Sequence, residues 1–142
     1  MSNEPYVEVS EIKRLIEASE KYHKAAKGSR NQLYLALTEA YRWQRLAKHS
    51  PKHAGAVNKL IEERLGDVKE KSVKHAETFV SIIKATVLYE PKSNERELFK
   101  NVDQLTTTYS RALEYCARKE HTAEETYNAL ISEGVVALKN KL

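Results

Sequence analysis

The five histidines and the single cysteine of this sequence are its best candidates for metal binding or nucleophilic chemistry. His49 and His53 are four residues apart, a spacing at which two imidazoles on one helical face can hold a metal ion. Pro51 lies between them, and because proline favours the first position of a helix, the two histidines are expected on either side of a helix start. No third ligand stands at a suitable spacing, so the sequence predicts no metal site.

The other candidates for catalysis have simpler structural explanations. Cys116 falls on the apolar stripe of a predicted helix, where a thiol behaves as a small buried hydrophobic group. Glu62 and Glu63, like Glu124 and Glu125, are adjacent in sequence, and adjacent residues of a helix do not face each other. The sequence contains no glycine-rich phosphate loop, H-E-x-x-H or G-x-S-x-G motif. We therefore expect a protein without enzymatic activity, without a cofactor and without a small-molecule substrate.

Positive charge is concentrated in the first half of the chain, although the formal net charge is only +4. Residues 13–59 contain eleven lysines and arginines against three glutamates, and the remainder of the chain is net acidic. Arg42, Arg45 and Lys48 recur at three-residue steps, which predicts a row of cations on one helical face. Such a row suits phosphate binding, because each neutralised phosphate releases counterions. The residues predicted to bind nucleic acid are Lys24, Lys27, Arg30, Arg42, Arg45, Lys48, Lys52, His53 and Lys59.

A weak helix-turn-helix pattern overlaps this basic segment. Ala47 lies near the end of one predicted helix, and Val57 and Leu60 are expected to point inward from the next, but the turn between them lacks the glycine often found in such motifs. Trp43 lies within the basic run, where either base stacking or burial is possible. We expect contacts mainly to phosphates, with DNA a better candidate than RNA. The alternative is that the cations only keep an amphipathic helix pair in solution.

Composition and periodicity predict an all-α fold. Four glycines and three prolines are few for 142 residues, which favours long helices over a many-stranded sheet. Apolar residues recur at three- and four-residue steps through most of the chain. We predict a compact array of about six helices in a single domain over residues 10–142, with a long fifth helix and a flexible leader over residues 1–9.

Capping and helix-breaking residues set the predicted limits of these helices. Ser29 with Gln32 and Thr122 with Glu125 match capping patterns that open helices. The six helices are expected over residues 10–27, 30–48, 51–65, 67–88, 94–119 and 122–134. One or two further turns are possible over residues 135–142. The stretch 79–88 is rich in β-branched residues typical of strands, but no second strand could pair with it, so a helix is expected.

Aromatic content and helix length both suggest self-association. Seven aromatic residues are more than a bundle of this size is expected to bury deeply, and exposed aromatic residues often mark interfaces. They are Tyr34, Tyr41, Trp43, Tyr89, Tyr109, Tyr115 and Tyr127. A fifth helix of the predicted length would measure roughly 39 Å, longer than the expected diameter of the domain. We expect a homodimer or a docked partner, and the alternative to nucleic-acid binding is an adaptor or inhibitor that docks an acidic protein surface.

The cysteine content and hydropathy indicate the cellular compartment of the protein. A single cysteine excludes an intramolecular disulfide and fits the reducing cytoplasm. The N-terminus lacks the basic and then apolar regions of a signal peptide, and no apolar run approaches the roughly 20 residues that span a bilayer. The predicted first helix is basic and amphipathic, but its apolar face lacks Trp and Phe. We therefore expect a cytoplasmic protein that does not bind membranes.

Overall fold

The computed structural model describes residues 11–24, 30–65, 78–89 and 102–142. Within these ranges the chain forms seven α-helices and no β-strand, which confirms the all-α prediction. The helices are α1 (Lys13–Lys24), α2 (Arg30–His49), α3 (Pro51–Leu65), α4 (Phe79–Ala85), α5 (Val102–Arg118), α6 (Ala123–Glu133) and α7 (Val135–Lys141). The count exceeds the prediction by one because the C-terminal tail forms a helix of its own.

Helix α2 lies at the centre of the array and packs against α1, α3, α4, α5 and α6. Every residue from Ala36 to Gln44 is buried, so this part of α2 has no solvent-facing side. Its sequence is apolar on more than one side, and a helix of that kind must be covered by neighbours on more than one side. Tyr41 shows how the neighbours are fixed: its ring stacks on Phe79 of α4, and its hydroxyl donates to the carbonyl of His121 at 2.6 Å.

The start of α6 is the capping box expected from its sequence. The hydroxyl of Thr122 accepts a hydrogen bond from the Glu125 amide at 3.1 Å, and the Glu125 carboxylate accepts one from the Thr122 amide at 2.9 Å. The helix ends where predicted, at Gly134, whose φ of 90° and ψ of 159° suit glycine. Helix α7 begins at the next residue, so a single glycine separates the last two helices.

The prediction of one continuous helix over residues 67–88 is wrong at Thr78. This residue has an extended backbone, with φ −116° and ψ 133°, and its hydroxyl accepts a hydrogen bond from the Ser81 amide at 3.4 Å. Thr78 is therefore the N-cap of α4, a role that threonine favours because its side chain can satisfy an amide of the first turn. Helix α4 ends at Ala85 and is followed by a turn, so it is shorter than the apolar spacing suggested.

Several predicted boundaries lie outside the described residues. They are the first helix's cap at residue 10 and its end at 25–28, the cap at 29, the opening of the fourth helix at 67–70, the break at 91 and the start of the fifth helix at 94. The described part of α5 has 17 residues and measures about 25 Å. Its buried face carries Tyr109, Ala112 and Cys116, as the apolar stripe predicted.

The aromatic side chains are more deeply buried than expected. Five of the seven are buried, namely Tyr34, Tyr41, Trp43, Tyr109 and Tyr127, and Tyr89 and Tyr115 are partly buried. The exposed aromatic surface that would favour self-association is therefore missing from the part of the chain that the structure describes. No helix in these ranges has the length and apolar character needed to cross a bilayer.

Candidate nucleic-acid interface

The predicted binding residues do not form one continuous surface. Lys24 at the end of α1 and Arg30 at the start of α2 are exposed at one end of α2, whereas Arg45 and Lys48 lie at the other end. Arg30 and Arg45 are fifteen positions apart, which corresponds to about 22 Å along the helix. Lys27 lies outside the described residues. The exposed cations at the two ends of α2 are thus separated in space.

Arg42 does not belong to either exposed group, which corrects the predicted row of cations. Its side chain is only 7% exposed, and its Nη2 lies 3.2 Å from Oε1 of Glu39, which is itself 1% exposed. Arg14 of α1 reaches the same carboxylate, with Nε 3.3 Å from Oε2. Arg42 is buried because neighbouring helices cover this part of α2 on all sides. The glutamate three residues earlier is the one sequence signal that could have indicated this pairing.

Trp43 and His53 also have structural roles. Trp43 is 2% exposed, so its indole is not available to stack on a base. The His53 ring lies beside it, with the ring centroids 5.3 Å apart. Ser50 opens α3, where its hydroxyl lies 3.4 Å from the His53 amide and hydrogen-bonds to the ring Nδ1 at 2.8 Å. Of the two options for Trp43, burial is the one observed.

Lys52 and Lys59 are exposed on α3, seven residues apart and so on the same side of the helix. Glu62 and Glu63 are exposed three and four residues beyond Lys59, which reduces the positive potential at that end. Arg64 serves the fold instead, since its Nη1 donates to the carbonyl of Ala85 at 3.0 Å. Lys52, at the start of α3, is therefore the more suitable phosphate contact of the two lysines.

A groove of about 470 Å³ lies where α2, α4 and α5 meet. Arg45 and Lys48 line it from α2, and Arg118 lines it from α5. Arg118 also forms an exposed ion pair with Glu114, with Nη2 and Oε2 3.6 Å apart. The full lining of the groove consists of Gln44, Arg45, Lys48, Thr78, Phe79, Val80, Ser110, Glu114, Ala117 and Arg118. The groove therefore combines three cations, one carboxylate, several uncharged polar groups and an apolar surface.

The apolar part of this groove comes from α4 and α5. Val80 is 45% exposed, which is high for a large aliphatic side chain, while Phe79 beside it is buried. The Phe79 ring is held parallel to the Tyr41 ring, with an interplanar angle of 4°. Ala117 contributes a small side chain from α5. The groove thus offers an apolar surface next to positive charge.

Sequence reasoning did not identify Arg118 as a site residue. It lies more than seventy positions after Arg45, outside the basic segment of residues 13–59. Its only local signal is the i,i+4 spacing to Glu114, which also occurs in ordinary surface ion pairs. The packing of α4 against both α2 and α5 brings the two arginines to one groove.

The side chains considered for catalysis include a buried thiol, a helix-capping carboxylate and two histidines. Cys116 is fully buried, and burial raises the pKa of its thiol to about 11, so it is protonated at neutral pH. The Glu125 carboxylate is engaged in the α6 capping box. Among the described residues no three metal-ligand side chains come together, and His49 is exposed while His53 contacts Ser50. These side chains do not converge on the groove between α2, α4 and α5.

The chain matches no protein-family model, no curated protein and no solved structure. The ligand that the groove could bind is therefore inferred from its own side chains. Three cations beside an apolar surface suit a ligand that carries negative charge and also has an apolar part.

Proposed function

We propose that this protein is a non-enzymatic nucleic-acid-binding protein that uses the C-terminal end of α2 and the adjoining groove. The observation that carries the proposal is the convergence of Arg45, Lys48 and Arg118 on one groove of about 470 Å³. Lys52, exposed just beyond Lys48, extends the positive surface. Lysine and arginine side chains in such a group bind phosphates, and the released counterions provide much of the affinity.

The binding is electrostatic and therefore sensitive to salt. With three or four phosphates neutralised, the slope of log K against log salt is roughly −3 to −4 for duplex DNA. Non-specific affinity of this kind corresponds to a Kd of about 10⁻⁴ to 10⁻⁶ M at physiological salt. Arg42 is left out of the proposed surface because its guanidinium is buried against Glu39.

Fluorescence anisotropy with labelled duplex DNA, single-stranded DNA and RNA tests the proposal. The double variant Arg45→Glu, Lys48→Glu is expected to bind at least tenfold more weakly than the unchanged protein. The matched control is Lys24→Glu, Arg30→Glu, which makes the same charge change at the other end of α2 and is expected to lose less than threefold. Equal losses in both variants would contradict the proposed location. The absence of any binding below roughly 100 μM at physiological salt would contradict the function itself.

A cytoplasmic location and a homodimer belong to the same proposal. The dimer now depends on the predicted length of the fifth helix, because the described aromatic residues are buried or partly buried. Light scattering separates the two states, since a monomer has a mass of 16.3 kDa and a dimer has twice that mass. A monomer at high concentration would remove the dimer from the proposal and leave nucleic-acid binding unaffected.

A second candidate function uses the same groove to dock an acidic protein segment. The observation in its favour is the exposed Val80 in the same groove as three cations, since interface centres are commonly apolar with a polar rim. An adaptor or inhibitor of this kind would bind no nucleic acid in the anisotropy experiment.

A further inference from the structure

We propose that the groove receives one nucleotide of a single strand, with the base against Val80 and the flanking phosphates on Arg45, Lys48 and Arg118. This inference rests on the proposed function and adds a preference for single-stranded over duplex nucleic acid. The volume of the groove, about 470 Å³, falls within the range of small-ligand sites, which is roughly 300–1,000 Å³. A groove of this size suits one nucleotide and is too small for a duplex.

The apolar surface of the groove is suited to the face of a base. Val80 presents a half-exposed aliphatic side chain, and the neighbouring Phe79 ring stacks on Tyr41. A base reaches this surface only when it is unstacked from its neighbours. In a duplex, unstacking and unpairing a base cost free energy, whereas bases of a single strand are already accessible. The surface therefore favours single strands.

A buried polar side chain in the groove can contact the edge of a base. Gln44 and Ser110 are both more than nine-tenths buried, and both line the groove. The Gln44 carbonyl oxygen accepts from Nη1 of Arg45 at 3.5 Å. The Ser110 hydroxyl donates to the Thr107 carbonyl at 3.3 Å, so its oxygen is oriented to act as an acceptor. The Ser110 oxygen provides a hydrogen-bond acceptor for a base without a strict sequence requirement.

Glu114 limits the affinity of the groove for phosphate. Its carboxylate lies 3.6 Å from Arg118, and both side chains are exposed. Exposed ion pairs of this kind contribute little to stability, so Arg118 can exchange the carboxylate for a phosphate at little cost. Glu114→Gln removes the competing charge and keeps the shape of the side chain. This variant is therefore expected to bind single strands more tightly.

The test compares a labelled dT20 strand with its dA20 duplex by anisotropy at physiological salt. We expect the single strand to bind at least fivefold more tightly than the duplex. Val80→Asn removes the apolar side chain without adding charge, so it should weaken single-strand binding at least threefold and change duplex binding less than twofold. The matched control is Val136→Asn, the same change at a 58% exposed valine of α7, which is expected to alter neither affinity. Glu114→Gln should tighten single-strand binding at least twofold.

The outcomes separate this inference from the proposed function. Equal affinities for strand and duplex, or a Val80→Asn protein that loses equally on both or loses nothing on the strand, would overturn the single-strand inference while leaving nucleic-acid binding intact. If neither ligand binds, both proposals fail. Circular dichroism shows whether Val80→Asn is folded. If it is not, Val80→Ala decides: single-strand binding that is unchanged, or weakened no more than duplex binding, overturns the inference.

Discussion

Arg42 and Glu39 form an ion pair one helical turn apart on α2, with 3.2 Å between Nη2 and Oε1 and both side chains buried. Removing one partner of a buried pair leaves an uncompensated charge and costs about 3–5 kcal/mol. Because Arg14 still contacts the Glu39 carboxylate, Arg42→Met is expected to lower the free energy of unfolding by about 3 kcal/mol. Urea denaturation followed by circular dichroism measures the change.

The controls for Arg42→Met distinguish charge from packing. Arg45→Met, on the part-exposed position three residues later, should change stability by no more than about 0.5 kcal/mol. The double variant Glu39→Met, Arg42→Met should recover most of the loss, since apolar replacement of a whole buried pair is often neutral. If Arg42→Met is as stable as Arg45→Met, the buried pair contributes nothing and the structural reason for excluding Arg42 from the binding surface is wrong.

The two described glycines predict opposite effects of an added methyl group. Gly55 lies within α3, and apart from the adjacent residues and the backbone of its own helix no atom stands within 4 Å of the position that a β-carbon would occupy, so Gly55→Ala should stabilise the protein by about 0.5–1 kcal/mol. Gly134 has φ +90°, a conformation that side chains disfavour, so Gly134→Ala should destabilise it by about 1–3 kcal/mol. The added carbon at Gly134 would lie 3.8 Å from the Tyr34 hydroxyl, an ordinary contact. Thermal denaturation of the two variants would contradict this account if both shifted Tm in the same direction.

The capping box of α6 predicts a measurable loss when its hydroxyl is removed. Thr122→Ala deletes the acceptor for the Glu125 amide and is expected to cost about 1 kcal/mol. Thr122→Ser keeps the hydroxyl and should restore most of that energy. Ser132→Ala is the matched control, because Ser132 is exposed within the same helix and donates only to the Asn128 carbonyl. A similar loss in Ser132→Ala, measured by urea denaturation, would mean that the cap is not the cause.

Stability is expected to fall at alkaline pH through buried weak acids. Burial raises the pKa of Cys116 from an ordinary value of 9.0 to about 11, so the unfolded chain releases this proton at a lower pH than the native protein. The stabilising contribution is complete below about pH 9 and is lost as the pH rises to about 11. Burial also raises the pKa of Tyr41 and Tyr109, which adds to the loss in the same direction.

Melting temperatures between pH 7 and pH 11 check this expectation. Cys116→Ala should show a shallower decrease between pH 9 and pH 11 than the unchanged protein, because one titrating group is gone. A thiol reagent at pH 8 should react slowly with native protein and rapidly in denaturant, with one thiol per chain. Rapid reaction of the native thiol would show that Cys116 is accessible and would contradict its burial.

Local sequence signals located several helix ends because capping chemistry depends on a few neighbouring residues. Ser50 and Pro51 mark the start of α3, and Thr122 with Glu125 marks the start of α6. Thr78 has the same capping chemistry, yet the apolar spacing continues on both sides of it and obscures the cap. Periodicity indicates which face of a helix is apolar, but it does not indicate whether the backbone remains helical at each residue along that face.

The sequence alone determined that this protein is built from amphipathic helices, that α2 is apolar on more than one side and that positive charge lies in the first half of the chain. Tertiary structure decided which of those charges face solvent. Arg42 and Arg45 look alike in sequence, but α2 is covered by five helices, so one arginine pairs with Glu39 in the interior and the other lines a groove. Arg118 joins that groove from the distant α5, because a binding surface forms from residues that packing brings together, whatever their separation along the chain.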